Sequence, residues 1–154
     1  KYASVLKSDS VYTPQMIING VHAFVGSNES LARKYIEESL KVSPQNKIVL
    51  NVGSYDESQI EVLYHCQTMT DNTQLNIALL ENKVESQVSR GENAGRQLKH
   101  VNVVREFKTI SLKQNDGKIF FAKPNGKDLH QFSIVAYIQK IDNMEIVAAK
   151  GIGL

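Results

Sequence analysis

A single cysteine, Cys66, among 154 residues excludes an internal disulfide. Three prolines and nine glycines are too few for a fibrous or disordered chain. No run approaches the roughly 18 apolar residues of a membrane-spanning helix, so the chain is not expected to span a membrane. Lysine and arginine number 18 against 16 acids, a net charge of +2 with no clustered basic face, so nucleic acid is not an expected partner. His22, His65, His100 and His130 show no zinc-ligand spacing and one cysteine cannot compensate; no metal and no cofactor is expected. The glycines at 91 and 95 lack the Gly-Lys-Ser/Thr ending of a phosphate loop. Asn28-Glu29-Ser30 fits a glycosylation acceptor, a pattern short enough to occur by chance.

What is present divides at Pro44. Residues 12–28 read YTPQMIINGVHAFVGSN. Proline at position 14 fixes its own backbone, pushes Thr13 toward an extended conformation and allows a cis peptide at modest cost. Met16, Ile17 and Ile18 form a short strand signature, Asn19-Gly20 is a strong hairpin signal because both tolerate positive φ, and Ala23, Phe24 and Val25 return. Ser27 or Asn28 can cap a helix whose Leu31, Ala32, Tyr35, Ile36 and Leu40 recur at spacings of three and four. The chain opens KYASVLKSD, without an initiator Met and as if inside a structural unit, so it is expected to be a truncated or processed piece.

The order Thr-Pro, strand, Asn-Gly turn, strand, helix is similar to the C-terminal half of thioredoxin-like and glutaredoxin-like domains, where a cis proline faces a Cys-x-x-Cys motif. The resemblance implies that Thr13 and Pro14 line the place where a thiol substrate's backbone docks, and that the cysteines belong to an N-terminal half lying before Lys1. The plainer reading is that Thr-Pro merely starts a strand.

Beyond Pro44 the period changes to two. Ile48, Leu50 and Val52 alternate, as do Ile60, Val62, Tyr64 and Cys66, then Leu75, Ile77 and Leu79. Residues 100–112 form a further strand expected to carry a bulge, because Val103 and Phe107 fall out of phase with Ile110 and Leu112. Ile119 and Phe121 follow an Asn-Asp-Gly turn, residues 132–141 are apolar on both faces as in a central strand, and residues 144–149 return from a turn at Asp142-Asn143. Cys66 shares a face with Ile60 and Val62, so a buried inert thiol is expected, and His65 points to the opposite face.

One loop stands out. Residues 89–99 read SRGENAGRQLK, in which Glu92 can pair with Arg90 or Arg96 and the two glycines permit close backbone approach. It is either a polar site for a carboxylate, a peptide backbone or a neighbouring domain, or a loop held by its own salt bridge. His100, four residues after Arg96, is a candidate hydrogen-bond anchor or proton carrier, or simply a partly buried histidine satisfied by backbone.

Tyr2-Ala3, VYTPQMIING, VGS, RGENAGR, Leu98, His100 and NVVR at 102–105, in this order and spacing, resemble a bacterial family of predicted secreted proteins, domain of unknown function 1223. The resemblance implies a thioredoxin-like domain followed by a β-rich domain, and an exported, periplasmic or envelope location. The expected architecture is therefore α+β, with residues 1–44 the C-terminal part of a thioredoxin-like unit (strand, strand, helix) and residues 45–154 an antiparallel β-sandwich. The expected function is that of a fragment of an exported thioredoxin-like protein, non-catalytic itself, whose full-length parent is a candidate thiol-disulfide oxidoreductase. The alternative is an envelope binding or assembly module acting through the β domain. Candidate substrate-binding residues are Thr13, Pro14, Arg90, Glu92, Asn93, Arg96, His100 and Arg105, with no catalytic residue among them. Candidate partners are a protein or peptide substrate, the N-terminal half, or a second copy in a homodimer, since half a thioredoxin-like sheet would leave an apolar edge and face to cover.

Overall fold

The computed structural model describes residues 2–5, 13–44, 46–68, 71–92 and 94–154. After a short helix, α1 (Tyr2–Val5), come the hairpin strands β1 (Gln15–Ile18) and β2 (His22–Val25) and the helix α2 (Glu29–Leu40). Seven further strands follow: β3 (Ile48–Tyr55), β4 (Gln59–Cys66), β5 (Thr73–Gln87), β6 (Gln97–Ser111), β7 (Asp116–Ala122), β8 (Phe132–Lys140) and β9 (Ile146–Gly153). They form three antiparallel sheets, β1-β2, β3-β4-β7 and β6-β5-β8-β9.

The expected α+β architecture with a partial thioredoxin-like unit is thereby overturned. Among the described residues the protein is mostly β, with α2 its one helix longer than a turn, and the hairpin pairs only with itself. The local elements nonetheless form where the sequence puts them. Asn19 and Gly20 both take positive φ, 48° and 77°, and Val21 N donates to Ile18 O at 3.1 Å to close the turn. Asn28 caps α2, its side chain accepting from Leu31 N at 3.1 Å. The hairpin extends no sheet because its loop, rather than its edge, meets the rest of the molecule. Ile146 N donates to Asn19 O at 2.8 Å, and Gly20 lies so close to the Met144 carbonyl that a Cβ there would overlap it. On the other side Tyr35 of α2 stacks on His22 with ring centroids 4.0 Å apart. Ile36 and Leu40 of the same helix remain exposed.

The two larger sheets share one hydrophobic core. Period-2 alternation turns Ile60, Val62 and Cys66 of β4 and Ile119 and Phe121 of β7 toward Leu75, Ile77 and Leu79 of β5 and Phe132, Ile134, Ala136 and Ile138 of β8. As the doubly apolar run suggests, β8 is a central strand, between β5 and β9. Near its C-terminal end the outer face carries a buried polar cluster. Gln139, buried, donates from Nε2 to the Tyr2 hydroxyl at 2.6 Å and to Met144 O at 2.8 Å, and its Oε1 accepts from Asn76 at 3.1 Å. Thr109 Oγ1 completes the chain by donating to Asn76 Oδ1 at 2.7 Å. Side chains also link the flanks of the two sheets, with Ala122 N donating to Glu106 at 2.9 Å and Lys108 Nζ to Phe120 O at 2.5 Å.

β5 and β6 are each 15 residues long, and β8 pairs with β5 only as far as Glu81 opposite Phe132. Residues 82–87 and 97–103 therefore run on as a two-stranded ribbon in which no described residue is buried. β6 does carry a bulge, but it lies before Phe107 and not after it: Leu79 pairs with Glu106 and Leu80 with Val104, which leaves Arg105 as the extra residue.

Candidate functional site

The ribbon begins at a charged centre. Glu81 continues the inward face of Leu75, Ile77 and Leu79, and would enter the core end as an unpaired carboxylate were it not met from two sides. Arg105, turned out of register by the bulge, donates Nε to Glu81 Oε2 at 2.7 Å and brings Nη2 into ion-pair contact with the same oxygen at 2.6 Å. Lys127 Nζ reaches Oε1 at 2.6 Å from the connection between β7 and β8. That connection is shaped by a turn at Gly126 (φ +67°) and by Asp128, which accepts from His130 N at 3.0 Å and caps the short helical turn Leu129–Gln131. The Lys127 ammonium, and after it the Arg105 guanidinium, hold the Glu81 carboxyl below its ordinary range against the opposing effect of burial. The Glu81 side chain is 6% exposed, those of Arg105 and Lys127 42% and 43%. A cleft of about 290 Å³ opens over them, floored by Leu79 and Phe132 and walled by Ala122, Pro124 and Asn125.

The candidate residues read from sequence do not form one pocket. Thr13 and Pro14 are exposed at the foot of the β1-β2 hairpin, where the peptide between them is cis and Gly26 N donates to Pro14 O at 2.8 Å. Arg90, Glu92 and Arg96 lie at the ribbon tip, while Asn93 lies outside the described residues. The tip is shaped by backbone: Val88 N donates to Arg96 O at 2.9 Å, Gly95 N to Val88 O at 2.8 Å and Ala94 N to Gly91 O at 2.9 Å, with Gly91 and Gly95 at positive φ. His100, exposed, stands 3.2 Å from Ser86 Oγ across the ribbon and not in a backbone-satisfied niche. Arg105 is nine residues beyond Arg96, roughly 30 Å along an extended strand. It alone of the eight joins the buried centre, whose other two members, Glu81 and Lys127, sequence reading passed over. Their signal was an acid in phase with an apolar inward face.

Residues 1–139 match the family described as "Protein of unknown function (DUF1223)". The chain belongs to that family. No curated protein matches this DUF1223 chain. Among solved structures it is similar to a domain of the outer membrane lipoprotein Omp28 from Porphyromonas gingivalis, at 16% identity and a TM-score of 0.45, over 73% of this chain and 90% of that one.

Nothing among the described residues of the DUF1223 chain supports thiol-disulfide exchange. Cys66 is fully buried, and burial, followed by the nearby Asp116 carboxylate, pushes its thiol above the ordinary range. His65 does face away, into a 2.7 Å contact with Asp116. No group of three or more His, Cys, Asp or Glu side chains suited to a metal occurs among the described residues, and no helix there is long and apolar enough to cross a membrane.

Proposed function

We propose that this chain is a binding module of the cell envelope that engages an acidic protein surface through the β5-β6 ribbon. The observation that carries the reading is the ribbon itself, two strands that continue past the last β8 pair with no buried residue. A lone pair of strands is marginally stable in water, so a ribbon of this kind gains most of its order from what it touches. The backbone bonds around Val88 and the left-handed glycines give its tip a defined shape, which lowers the ordering cost of association. Residues 82–103 contain four cations, Lys83, Arg90, Arg96 and Lys99, against Glu85 and Glu92, so the ribbon carries the chain's whole excess of two positive charges. Such an excess favours a partner of opposite sign and speeds encounter with it. The envelope location belongs to the same reading and is what the family resemblance leads one to expect.

The test is affinity capture from envelope extracts with the unaltered chain, with Arg90→Ala/Arg96→Ala, and with the tip replaced by an Asn-Gly turn, partners being identified by mass spectrometry. The expected result is an acidic protein captured by the first and lost from both variants at unchanged thermal stability. Capture of no protein, or equal capture by all three, overturns the reading.

A further inference from the structure

The cleft over Glu81 has a charge pattern that the ribbon does not explain. Two cations converge on a single carboxylate, so the trio keeps one positive charge. Neither cation is used up. Of its five N–H groups Arg105 donates Nε to Glu81, with Nη2 in ion-pair contact with the same oxygen, and Lys127 spends one donor of three. The other acid lining the cleft, Glu106, is already held by Lys108 at 3.0 Å and by Ala122 N at 2.9 Å. Lys123, on the same rim, has its ammonium 5.6 Å over the Tyr55 ring. What remains beside Leu79, Phe132 and Pro124 is a pair of half-exposed donors of matched sign over an apolar floor.

We propose that this cleft binds a monocarboxylate with a short apolar body, its carboxylate bridging Arg105 and Lys127 and its apolar part lying against Ala122 and Pro124 above the buried Leu79 and Phe132. The bound anion brings the charge of the cluster to zero, and the fixed Glu81 orients both donors beforehand. A volume of 290 Å³ corresponds to about ten water-sized groups, which suits a small acid or the last residue of a peptide with a free C-terminus. Recruiting Arg105 as the bulged residue of β6 interrupts the ladder to place a guanidinium at the cleft wall, a known use of bulges beside binding sites.

The experiment is backbone amide NMR of the whole chain titrated with hexanoate, with hexanamide, and with a tetrapeptide ending in a free-carboxylate leucine, each to about 10 mM, enough to saturate a site of millimolar affinity. Hexanoate is expected to shift the amides of Leu79, Arg105, Asn125 and Lys127, and hexanamide to leave them in place. Lys127→Gln, which keeps a donor for Glu81 and so the fold, is expected to weaken hexanoate binding about tenfold, the loss of one charge-assisted hydrogen bond, while Lys127→Arg retains it. Tighter binding of the tetrapeptide than of hexanoate identifies a chain terminus as the source of the carboxylate, and the reverse identifies a free acid. Absence of shifts with both acids, equal shifts with hexanamide, or undiminished binding by Lys127→Gln overturns the proposal. Tip replacement on the ribbon leaves hexanoate binding unchanged, so the two readings fail separately.

Discussion

Arg105 donates Nε to Glu81 Oε2 at 2.7 Å and holds Nη2 in ion-pair contact with the same oxygen at 2.6 Å, across a bulge that leaves the arginine without a register partner on β5. The carboxylate it grips is buried, and the register of the β5-β6 pairing shifts at this point. The pair therefore lends itself to direct thermodynamic test.

Because Glu81 is held below the ordinary carboxyl value of 4.5 in the folded chain, its contribution to stability is complete above about pH 4.5 and is lost as pH falls through the lower folded value. Urea denaturation followed from neutral pH to about pH 3 should show this acid loss reduced in Glu81→Gln. At neutral pH Arg105→Ala should cost about 2 to 3 kcal/mol, somewhat less than breaking an isolated buried pair, because Lys127 still neutralises the carboxylate.

Gly20 and Gly91 both have left-handed backbones, at φ +77° and +86°, but only Gly20 is crowded, by the Met144 carbonyl. Gly91→Ala should therefore cost about 1 kcal/mol, the conformational penalty alone. Gly20→Ala should cost about 2 kcal/mol or more, since the hairpin must also retreat from the β8-β9 turn. Paired urea midpoints measure the difference, and equal costs would show that the hairpin tip is not seated there.

Cys66 has no access to solvent and a thiol held in its protonated form by burial. A disulfide reagent such as dithionitrobenzoate should leave it unlabelled in the native chain at neutral pH and label it fully in urea. Cys66→Ser should destabilise by about 1 to 3 kcal/mol, the cost of an unpaired buried hydroxyl. Rapid native labelling would contradict the packing of β4.

The strands of the two larger sheets were legible because their inward residues alternate: Ile48 and Leu50, Ile60 and Val62, Leu75 to Leu79, Ile119 and Phe121. The hairpin was legible for a different reason, that Asn19-Gly20 states its own turn. The error came from treating strand, strand, helix as a unit of larger architecture. Local signals cannot say what a hairpin docks against, and here Asn19 and Gly20 settle on Met144 and Ile146, more than 120 residues away in sequence. The run of β5 beyond Leu79 was hidden because Asn82, Lys83, Glu85 and Gln87 offer no apolar face to mark a strand. Glu81 was hidden for a related reason. Its partners stand 24 and 46 residues further on, and only the bulge and the turn at Gly126 bring them to it.

The side-chain links between β6 and β7 bear on how copies of this protein behave in a crowded compartment. The outer rim of β7 is a row of backbone groups onto which a strand from another molecule could add, and repetition of that step makes fibres. Ala122 N and Phe120 O are instead occupied by Glu106 and Lys108, themselves 3.0 Å apart. An incoming strand would have to displace both and desolvate an ion pair to gain the same hydrogen bonds. Two side chains of β6 thus obstruct strand addition at that end of β7, where no further strand pairs among the described residues.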